Sequence, residues 1–296
     1  MRGLFVTGTD TGVGKTVLSA SLVAAIAAAG ERVRAFKPVV TGLDESAPVA
    51  EAAGSATVEG TTAEDTTAED TTAEDTTAED TTAGTEDPCT DAVWPADHVL
   101  LGAAAGMAPE MVSALRFGPA VSPHLAAELA GEPIEPEQLL AAAIGAEGPA
   151  GTLIVEGVGG LLVPLREDFS VCDFAVALGL PLLIAARPGL GTINHTLLTL
   201  QVARDAGLDV RAVVLTPWPQ QPSTIEASNR RTIARLGAVE VQTLRRVASP
   251  SASELARAGD ELPWREWLHP HRDAGTVHGS SAAGARGSNH RGADLG

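Results

Sequence analysis

The hydrophobic positions of the chain form continuous runs rather than an alternating pattern. Five such runs are bounded by polar or glycine-containing segments: Gly3–Thr7, Val33–Lys37, Thr152–Glu156, Pro181–Ala186 and Val210–Thr216. Continuous apolar runs of this length are typical of strands that are buried on both faces, as in a parallel sheet. We therefore predict that these runs are the strands of one mostly parallel sheet.

Helical patterns lie between these runs, and most of them end at a glycine. The predicted helices are Lys15–Ala29, Ser122–Ala130, Glu135–Gly145, Ile193–Ala206 and Thr224–Leu236. The glycines taken as stop signals directly after a last turn are Gly30, Gly131, Gly207 and Gly237. Strands that alternate with helices over short links predict an α/β fold, a doubly wound sheet with helices on both faces. In such a fold, ligands bind at the carboxyl ends of the strands.

Two segments depart from this pattern. Residues 61–80 are four identical copies of Thr-Thr-Ala-Glu-Asp, and this stretch has almost no apolar side chain to bury. We therefore interpret residues 44–95 as a disordered acidic insert, and the Gly-, Ser-, His- and Arg-containing residues 269–296 as a disordered tail. The remaining sequence predicts a single domain over residues 1–262.

The insert also accounts for most of the charge. Residues 44–97 contain sixteen acidic residues and no Lys or Arg, so they carry −16 of the total −18. The rest of the chain is close to neutral, which argues against a nucleic-acid partner. No apolar run approaches the ~20 residues of a membrane span, and the two cysteines, Cys89 and Cys172, have neither metal nor CxxC spacing. We expect a cytoplasmic protein with reduced thiols and without a membrane partner.

The strongest chemical signal lies between the first strand and the first helix. Gly8–Thr16 reads Gly-Thr-Asp-Thr-Gly-Val-Gly-Lys-Thr, a variant phosphate-binding loop with one more residue between its glycines than the common pattern. Its backbone N–H groups and the helix N-terminus favour phosphate oxygens. The sequence predicts a P-loop NTPase-like fold in which Lys15 reaches the terminal phosphates of a nucleotide and Thr16 contacts Mg²⁺.

Two further charged residues end predicted strands. Lys37 is the only lysine besides Lys15, against eighteen arginines, which indicates that arginine cannot serve at either position. An ammonium there could stabilise a transferring phosphoryl or carboxylate group. Glu156, followed by Gly157-Val158-Gly159-Gly160, could be a Mg²⁺ ligand. Taken alone, both residues are equally compatible with ordinary solvated charges at strand ends.

The motifs in order are Gly8–Thr16, Lys37-Pro38 with Thr41-Gly42, Ser122-Pro123-His124, Glu156–Gly160 and Gly189–His195. This ordered set closely resembles that of dethiobiotin synthetases, the ATP-dependent carboxylases of biotin synthesis, over roughly residues 1–43 and 96–245. The resemblance implies that 7,8-diaminopelargonate, CO₂, ATP and Mg²⁺ react to close a cyclic urea. The implied path forms a carbamate, phosphorylates it and then displaces phosphate with the second amine.

The resemblance also implies a role for individual residues. Catalytic roles fall to Lys15, Lys37 and Thr11. Nucleotide-binding roles fall to Gly12, Val13, Gly14, Lys15, Thr16, Asp97, Glu156, Gly157, Val158, Gly159 and Thr216. Metal-binding roles fall to Thr16, Asp97 and Glu156. Substrate-binding roles fall to Thr41, Ser122, Gly159 and Asn194, with Asn194 acting across the interface of a homodimer.

The chain departs from the family pattern at two informative places. Position 12 is glycine, where many relatives carry glutamate. Thr216-Pro217 stands where many relatives read adenine with Asn-Asp, so the nucleotide is ATP or another nucleoside triphosphate.

Two other P-loop functions remain as alternatives. An amide synthetase would normally need an ammonia source, often a Cys–His–Glu glutaminase domain. A partition-type ATPase often carries an additional lysine at the start of the loop, where this chain has Thr9 and Asp10.

Deleting residues 55–90 is expected to leave fold and activity largely intact, because this acidic stretch has almost nothing to bury. Soluble yield, thermal midpoint and turnover of the deleted and full-length proteins provide the measurement. A collapse of soluble expression on deletion would contradict the interpretation of this segment as a dispensable insert.

Overall fold

The computed structural model describes residues 1–44, 94–145 and 151–269. The predicted insert, apart from residues 44, 94 and 95, and the predicted tail, apart from residue 269, lie outside the described residues. In chain order the elements are β1 (Gly3–Gly8), α1 (Lys15–Ala28), β2 (Val33–Phe36), β3 (Val39–Val40), α2 (Asp97–Ala105), α3 (Pro109–Val112), β4 (Leu115–Arg116), α4 (Pro123–Ala130), α5 (Pro136–Ile144), β5 (Thr152–Gly160), β6 (Pro164–Arg166), β7 (Phe169–Ser170), α6 (Val171–Leu178), β8 (Leu182–Ala186), α7 (Thr192–Asp205), β9 (Val210–Trp218), α8 (Thr224–Gly237), β10 (Glu240–Arg245), α9 (Ala252–Asp260) and α10 (Trp264–Trp267).

Six parallel strands form the central sheet in the order β10-β9-β8-β1-β5-β2. On one side of β1 lie β5 and then β2, the edge strand, and on the other side lie β8, β9 and β10 in chain order. This arrangement confirms the predicted α/β fold with a doubly wound, mostly parallel sheet. β1 lies where the strand order reverses, which is the position at which such sheets bind ligands beyond their carboxyl ends.

Both faces of the sheet are covered, and β1 shows why its sequence is continuously apolar. Phe5 belongs to the core on one face, whereas Leu4 and Val6 belong to the core on the other, and all three are fully buried. Successive side chains of a strand point to opposite faces, so two buried faces require an apolar residue at every position. None of the described helices is long and apolar enough to cross a membrane.

The edge strand β10 is absent from the five strands predicted from apolar runs. In β10, Val241 and Leu244 are buried, whereas Glu240 is exposed and Gln242 is half-buried. Val241 and Leu244 belong to the cores on opposite faces of the sheet, and the other four residues of β10 are only partly buried or exposed. Its sequence therefore lacks a continuous apolar run. Two predicted strands also extend further than expected, since β5 continues to Gly160 and β9 to Trp218.

The predicted helix Thr224–Leu236 does end at Gly237, but its C-terminal cap lies one residue later than expected. Gly237 is the last residue of α8, and the left-handed conformation falls on Ala238, with φ 43°. A Cβ on Gly237 would lie 2.8 Å from Leu200 Cδ1 of α7. The glycine thus lies where α7 and α8 approach closely, and a larger residue there would have to displace the end of the Leu200 side chain.

The structure also contains two C-terminal helices, α9 and α10, that were not predicted from the sequence. α9 packs closely along α1, and Trp264 of α10 is completely buried in the core on that face. Leu268 is also buried, so the core continues beyond residue 262, the predicted end of the domain.

Candidate active site

The loop between β1 and α1 has the geometry of an anion-binding turn. Gly12 and Gly14 take positive φ angles of 69° and 90°, which lets the chain turn tightly before the helix begins at Lys15. The first N–H groups of a helix have no acceptor within the helix, and the helix dipole adds positive potential there. The Lys15 ammonium folds back over the loop and donates to the carbonyl oxygen of Asp10 at 2.8 Å. The carboxyl end of β1 therefore has the backbone geometry and the positive potential that favour phosphate binding.

Lys37 lies between two carboxylates. Its Nζ donates to Glu156 Oε1 at 2.6 Å and also to Asp97 Oδ2. The hydroxyl of Thr16, in the first turn of α1, donates to the same Glu156 oxygen at 2.9 Å. Glu156 is fully buried and Lys37 is only 5% exposed. The alternative that these two residues are solvated strand-end charges is therefore excluded.

The sheet register produces this contact. β2 pairs with β5 so that Phe36 lies opposite Val155, and the next residues on the two strands are Lys37 and Glu156. Glu156 was expected at the tip of its strand, but β5 continues for four more residues. The carboxylate is consequently set back from the sheet edge, which explains its complete burial. Asp97 reaches the pair from the first residue of α2, as predicted for an aspartate that opens a helix.

Burial and charge act against each other in this cluster. Burial lowers the pKa of Lys15, and the attraction of Glu156 offsets only part of that effect. Burial would also lower the pKa of Lys37, but Glu156 and Asp97 together outweigh it and raise that pKa. Burial raises the pKa of Glu156 in spite of Lys37. Although burial alone would raise the pKa of Asp97, Lys37 holds it below its ordinary value.

A cavity of about 980 Å³ opens beside the cluster. Twelve predicted site residues line it: Thr11, Gly12, Gly14, Lys15, Thr16, Lys37, Thr41, Asp97, Ser122, Glu156, Val158 and Gly159. Much of the remaining wall is apolar, formed by Val17, Val39, Trp94, Pro95, Leu100, Ala120, Val121, Pro123 and Val163. Segments that are far apart in sequence thus combine a phosphate loop, a buried charge cluster and an apolar wall around one space.

Four predicted site residues lie outside the cavity lining. Val13 is buried beneath the loop as part of the core. Gly157 faces the core, where a Cβ would lie 3.1 Å from Phe5 and Val171. Thr216 is buried against the loop, with its Cγ2 2.9 Å from where a Cβ on Gly14 would lie. Asn194 is exposed on the first turn of α7.

The donor set fits magnesium. Glu156 Oε2 is buried and has no hydrogen-bond partner among the described residues, so one carboxylate oxygen remains available. The Thr16 hydroxyl and the Asp97 carboxylate complete a set of oxygen donors. Nowhere in residues 1–44, 94–145 and 151–269 do three or more His, Cys, Asp or Glu residues converge as a metal site. Two carboxylates and a hydroxyl, completed by phosphate and water, match the way Mg²⁺ is usually held in nucleotide sites.

Sequence reasoning missed two residues at this edge of the sheet. Trp94 lines the cavity, directly before the segment that carries Asp97. Arg187 follows β8 and donates from Nη2 to the carbonyl oxygen of Thr11 at 3.1 Å. Arg187 could have been found from its position in the sequence. It directly follows a predicted strand, and the carboxyl end of that strand lies beside the carboxyl end of β1.

Fold and loop together define a P-loop nucleotide-binding protein of the α/β class. A family model described as an AAA domain matches residues 2–84 and 97–245. The ATP-dependent dethiobiotin synthetase BioD of Mycobacterium sp. (strain KMS) is 34% identical over 270 residues, which cover 90% of this chain and 98% of that relative. The chain belongs to the dethiobiotin synthetase family, which confirms the resemblance seen in the motifs.

Two further relatives carry the same name. The ATP-dependent dethiobiotin synthetase BioD of Bacillus subtilis (strain 168) is 30% identical over 241 residues, covering 81% of this chain and 85% of that relative. The protein of the same name from Anaeromyxobacter dehalogenans (strain 2CP-1 / ATCC BAA-258) is 34% identical over 237 residues, covering 80% and 86%. A solved structure, that of a Cyanothece McdA variant in complex with ATP, aligns with a TM-score of 0.42 and 12% identity over 90% of this chain and 92% of that chain.

Replacing Lys37 by methionine removes the ammonium, keeps most of the side-chain volume and leaves Glu156 buried without its cation. We expect the free energy of unfolding to fall by about 3–5 kcal/mol. The loss should deepen as the pH rises, because the folded-state pKa of Glu156 is already raised by burial. A raised carboxyl pKa contributes stability in the protonated form, and that contribution is lost as the pH climbs through the folded pKa. Urea unfolding at about pH 5 and about pH 8 measures both effects.

The matched control is the double variant Lys37→Met with Glu156→Gln, which removes both charges. It should recover most of the lost stability and show little of the added pH dependence. Wild-type stability of Lys37→Met at the higher pH, or no recovery in the double variant, would contradict the assignment of a buried ion pair.

Proposed function

We propose that this chain catalyses the ATP-dependent closure of a cyclic urea on 7,8-diaminopelargonate, with uptake of CO₂ and formation of dethiobiotin, ADP and phosphate. The observation that carries the proposal is one cavity that contains both the phosphate loop and the buried Lys37–Glu156–Asp97 cluster. Membership of the dethiobiotin synthetase family, with relatives aligned over 90% of the chain, supports the same activity.

The chemistry explains why ATP is needed. One amine of the diamine adds to CO₂ and loses a proton, which gives a carbamate. The carbamate oxygen is a poor leaving group and must be activated before the ring can close. It therefore attacks the terminal phosphorus of ATP, ADP departs, and a carbamic–phosphoric anhydride is formed. The second amine then attacks the carbonyl carbon, the C–O bond to phosphate breaks, and loss of a proton from that nitrogen leaves the cyclic urea.

The residues around the cavity suit positioning and charge stabilisation. The ammonium groups of Lys15 and Lys37 can hold the terminal phosphate and the carbamate oxygens, which carry the developing charge. Thr11 lies at the mouth of the loop, close to Gly159, where it can help to orient the transferring group. Phosphoryl transfer relies mainly on such alignment and electrostatics rather than on a group with a tuned pKa.

Mg²⁺ would be held by Thr16, Asp97 and Glu156. Bound there, it would neutralise phosphate charge and orient the phosphate oxygens. Lys37 contacts both carboxylates in the structure. With those carboxylates shared with the ion, Lys37 can turn its ammonium toward the carbamate.

The diamine fits the other half of the cavity. Thr41, Ser122 and the backbone at Gly159 offer polar contacts, next to the apolar side chains of Val121 and Val163. An aliphatic chain with amines at one end requires this combination.

A homodimer would complete the diamine site through Asn194 of a second copy. Asn194 is exposed, and apolar Leu190 and Leu198 on the same segment are 89% and 58% exposed. Large apolar side chains exposed on one segment favour an interface. We further propose a cytoplasmic location, with Cys172 as a reduced buried thiol, and no nucleic-acid or membrane partner.

The nucleotide base is selected weakly in this proposal. Thr216 is buried against Gly14 and is absent from the cavity lining, and the following Pro217 has no N–H to donate to a base. The nucleotide is therefore ATP or another nucleoside triphosphate.

The test is an assay of purified protein with 7,8-diaminopelargonate, bicarbonate, Mg²⁺ and each nucleoside triphosphate in turn. Phosphate release that requires the diamine and is accompanied by dethiobiotin is the expected result, with Lys15→Ala as the inactive control. Nucleotide hydrolysis at the same rate with and without the diamine would favour a partition-type ATPase. Turnover that requires ammonia or glutamine would favour an amide synthetase. Either outcome would overturn the proposal.

A further inference from the structure

The side chain of Arg187 contacts the phosphate loop at Thr11. It directly follows β8, the neighbour of β1, so both strands deliver their next residues to the same edge of the sheet. Arg187 Nη2 donates to the Thr11 carbonyl oxygen and lies 3.3 Å from where a Cβ on Gly12 would stand. A side chain at position 12 would crowd the guanidinium. The glycine at that position therefore leaves the space that Arg187 uses.

The charge of Arg187 is not neutralised by the described part of the protein. No Asp or Glu within that part forms an ion pair with the guanidinium, although seven other arginines have such a partner. The hydrogen bond to Thr11 uses one of its five N–H groups. The exposed remainder is a planar set of donors, a geometry that matches phosphate oxygens.

The position of Arg187 relative to the strands of the sheet indicates which phosphates of a nucleotide it can contact. Lys37 and Glu156 lie on the β2–β5 side of the loop, whereas Arg187 lies on the β8 side. A triphosphate that follows the loop with its terminal group at Lys37 would bring its inner phosphates closer to β8 than its terminal phosphate. In that orientation the inner phosphates, rather than the transferred group, would lie on the side of Arg187.

A buried amide fixes the chain that carries Arg187. Asn229 of α8 is 8% exposed, and its Nδ2 donates to the carbonyl oxygens of Pro188 and Gly189, both at 3.0 Å. These are the two residues directly after Arg187, on an otherwise exposed turn before α7. The backbone is thus held at this point, which distinguishes Arg187 from an arginine on a free surface.

We propose that Arg187 is a nucleotide-positioning residue, which binds the inner phosphates of the nucleotide while Asn229 holds its turn in place. The proposal rests on the nucleotide use in the proposed function but is independent of the base. Nucleotide affinity should depend on Arg187 equally for ATP and other triphosphates, and ADP should share that dependence because it retains both inner phosphates. The chemical step and the KM for the diamine should not depend on it.

The experiment compares Arg187→Ala, Arg187→Lys and Asn229→Ala with Arg231→Ala, which removes an exposed arginine of α8. Calorimetry measures ADP affinity without turnover, and steady-state assays give kcat and each KM. For Arg187→Ala we expect ADP affinity to fall and the KM for ATP to rise by about ten- to a hundredfold, as for a lost charged hydrogen bond. The kcat should stay within about twofold, since the transferred group is held elsewhere. Lysine should restore part of the affinity, and Asn229→Ala should shift it in the same direction by a smaller amount.

An Arg187→Ala protein with the nucleotide affinity of the Arg231→Ala control would overturn the proposal. So would a fall in kcat with unchanged ADP affinity, since that places the guanidinium at the transferred phosphate. Wild-type protein that binds ADP but does not form dethiobiotin would contradict the proposed function alone. Wild-type protein that fails to bind ADP would contradict both.

Discussion

The buried ion pair between Lys37 and Glu156 is the interaction on which the site depends. A fully buried carboxylate is costly without a cation, and the adjacent strands β2 and β5 supply that cation in register. With Lys15 and Asp97 the cluster contains two ammonium groups and two carboxylates, so its formal charges sum to zero. The carboxyl edge of the sheet can therefore carry four charged groups without a large unbalanced field.

This neutrality links the fold to the proposed chemistry. Nucleotide and carbamate would bring negative charge to the cavity, and the phosphate loop and the two lysines offset it. Lys15 and Lys37 are held by protein oxygens in the structure, at Asp10 and at the two carboxylates. The same contacts that keep the lysines ordered thus leave them ready to exchange one oxygen partner for another.

The strands and the loop that could be predicted from sequence are those with a recognisable local pattern. Strands buried on both faces leave continuous apolar runs, and the loop at Gly8–Thr16 has fixed glycine and lysine positions. The edge strand β10 has neither, because only two of its six residues are buried. The contact of Arg187 with Thr11 depends on strand order, which brings together residues 176 positions apart. The burial of Glu156 likewise follows from the length of β5 beyond it, which the glycine-rich sequence there conceals.

A crystal structure with Mg²⁺, 7,8-diaminopelargonate and a non-hydrolysable triphosphate would show directly whether the buried ion pair serves the nucleotide. We expect phosphates along the loop, with Lys37 still beside Glu156 and its ammonium in contact with the terminal phosphate or the diamine-derived oxygen. A loop without phosphates, or Lys37 turned into bulk solvent away from Glu156, would contradict it.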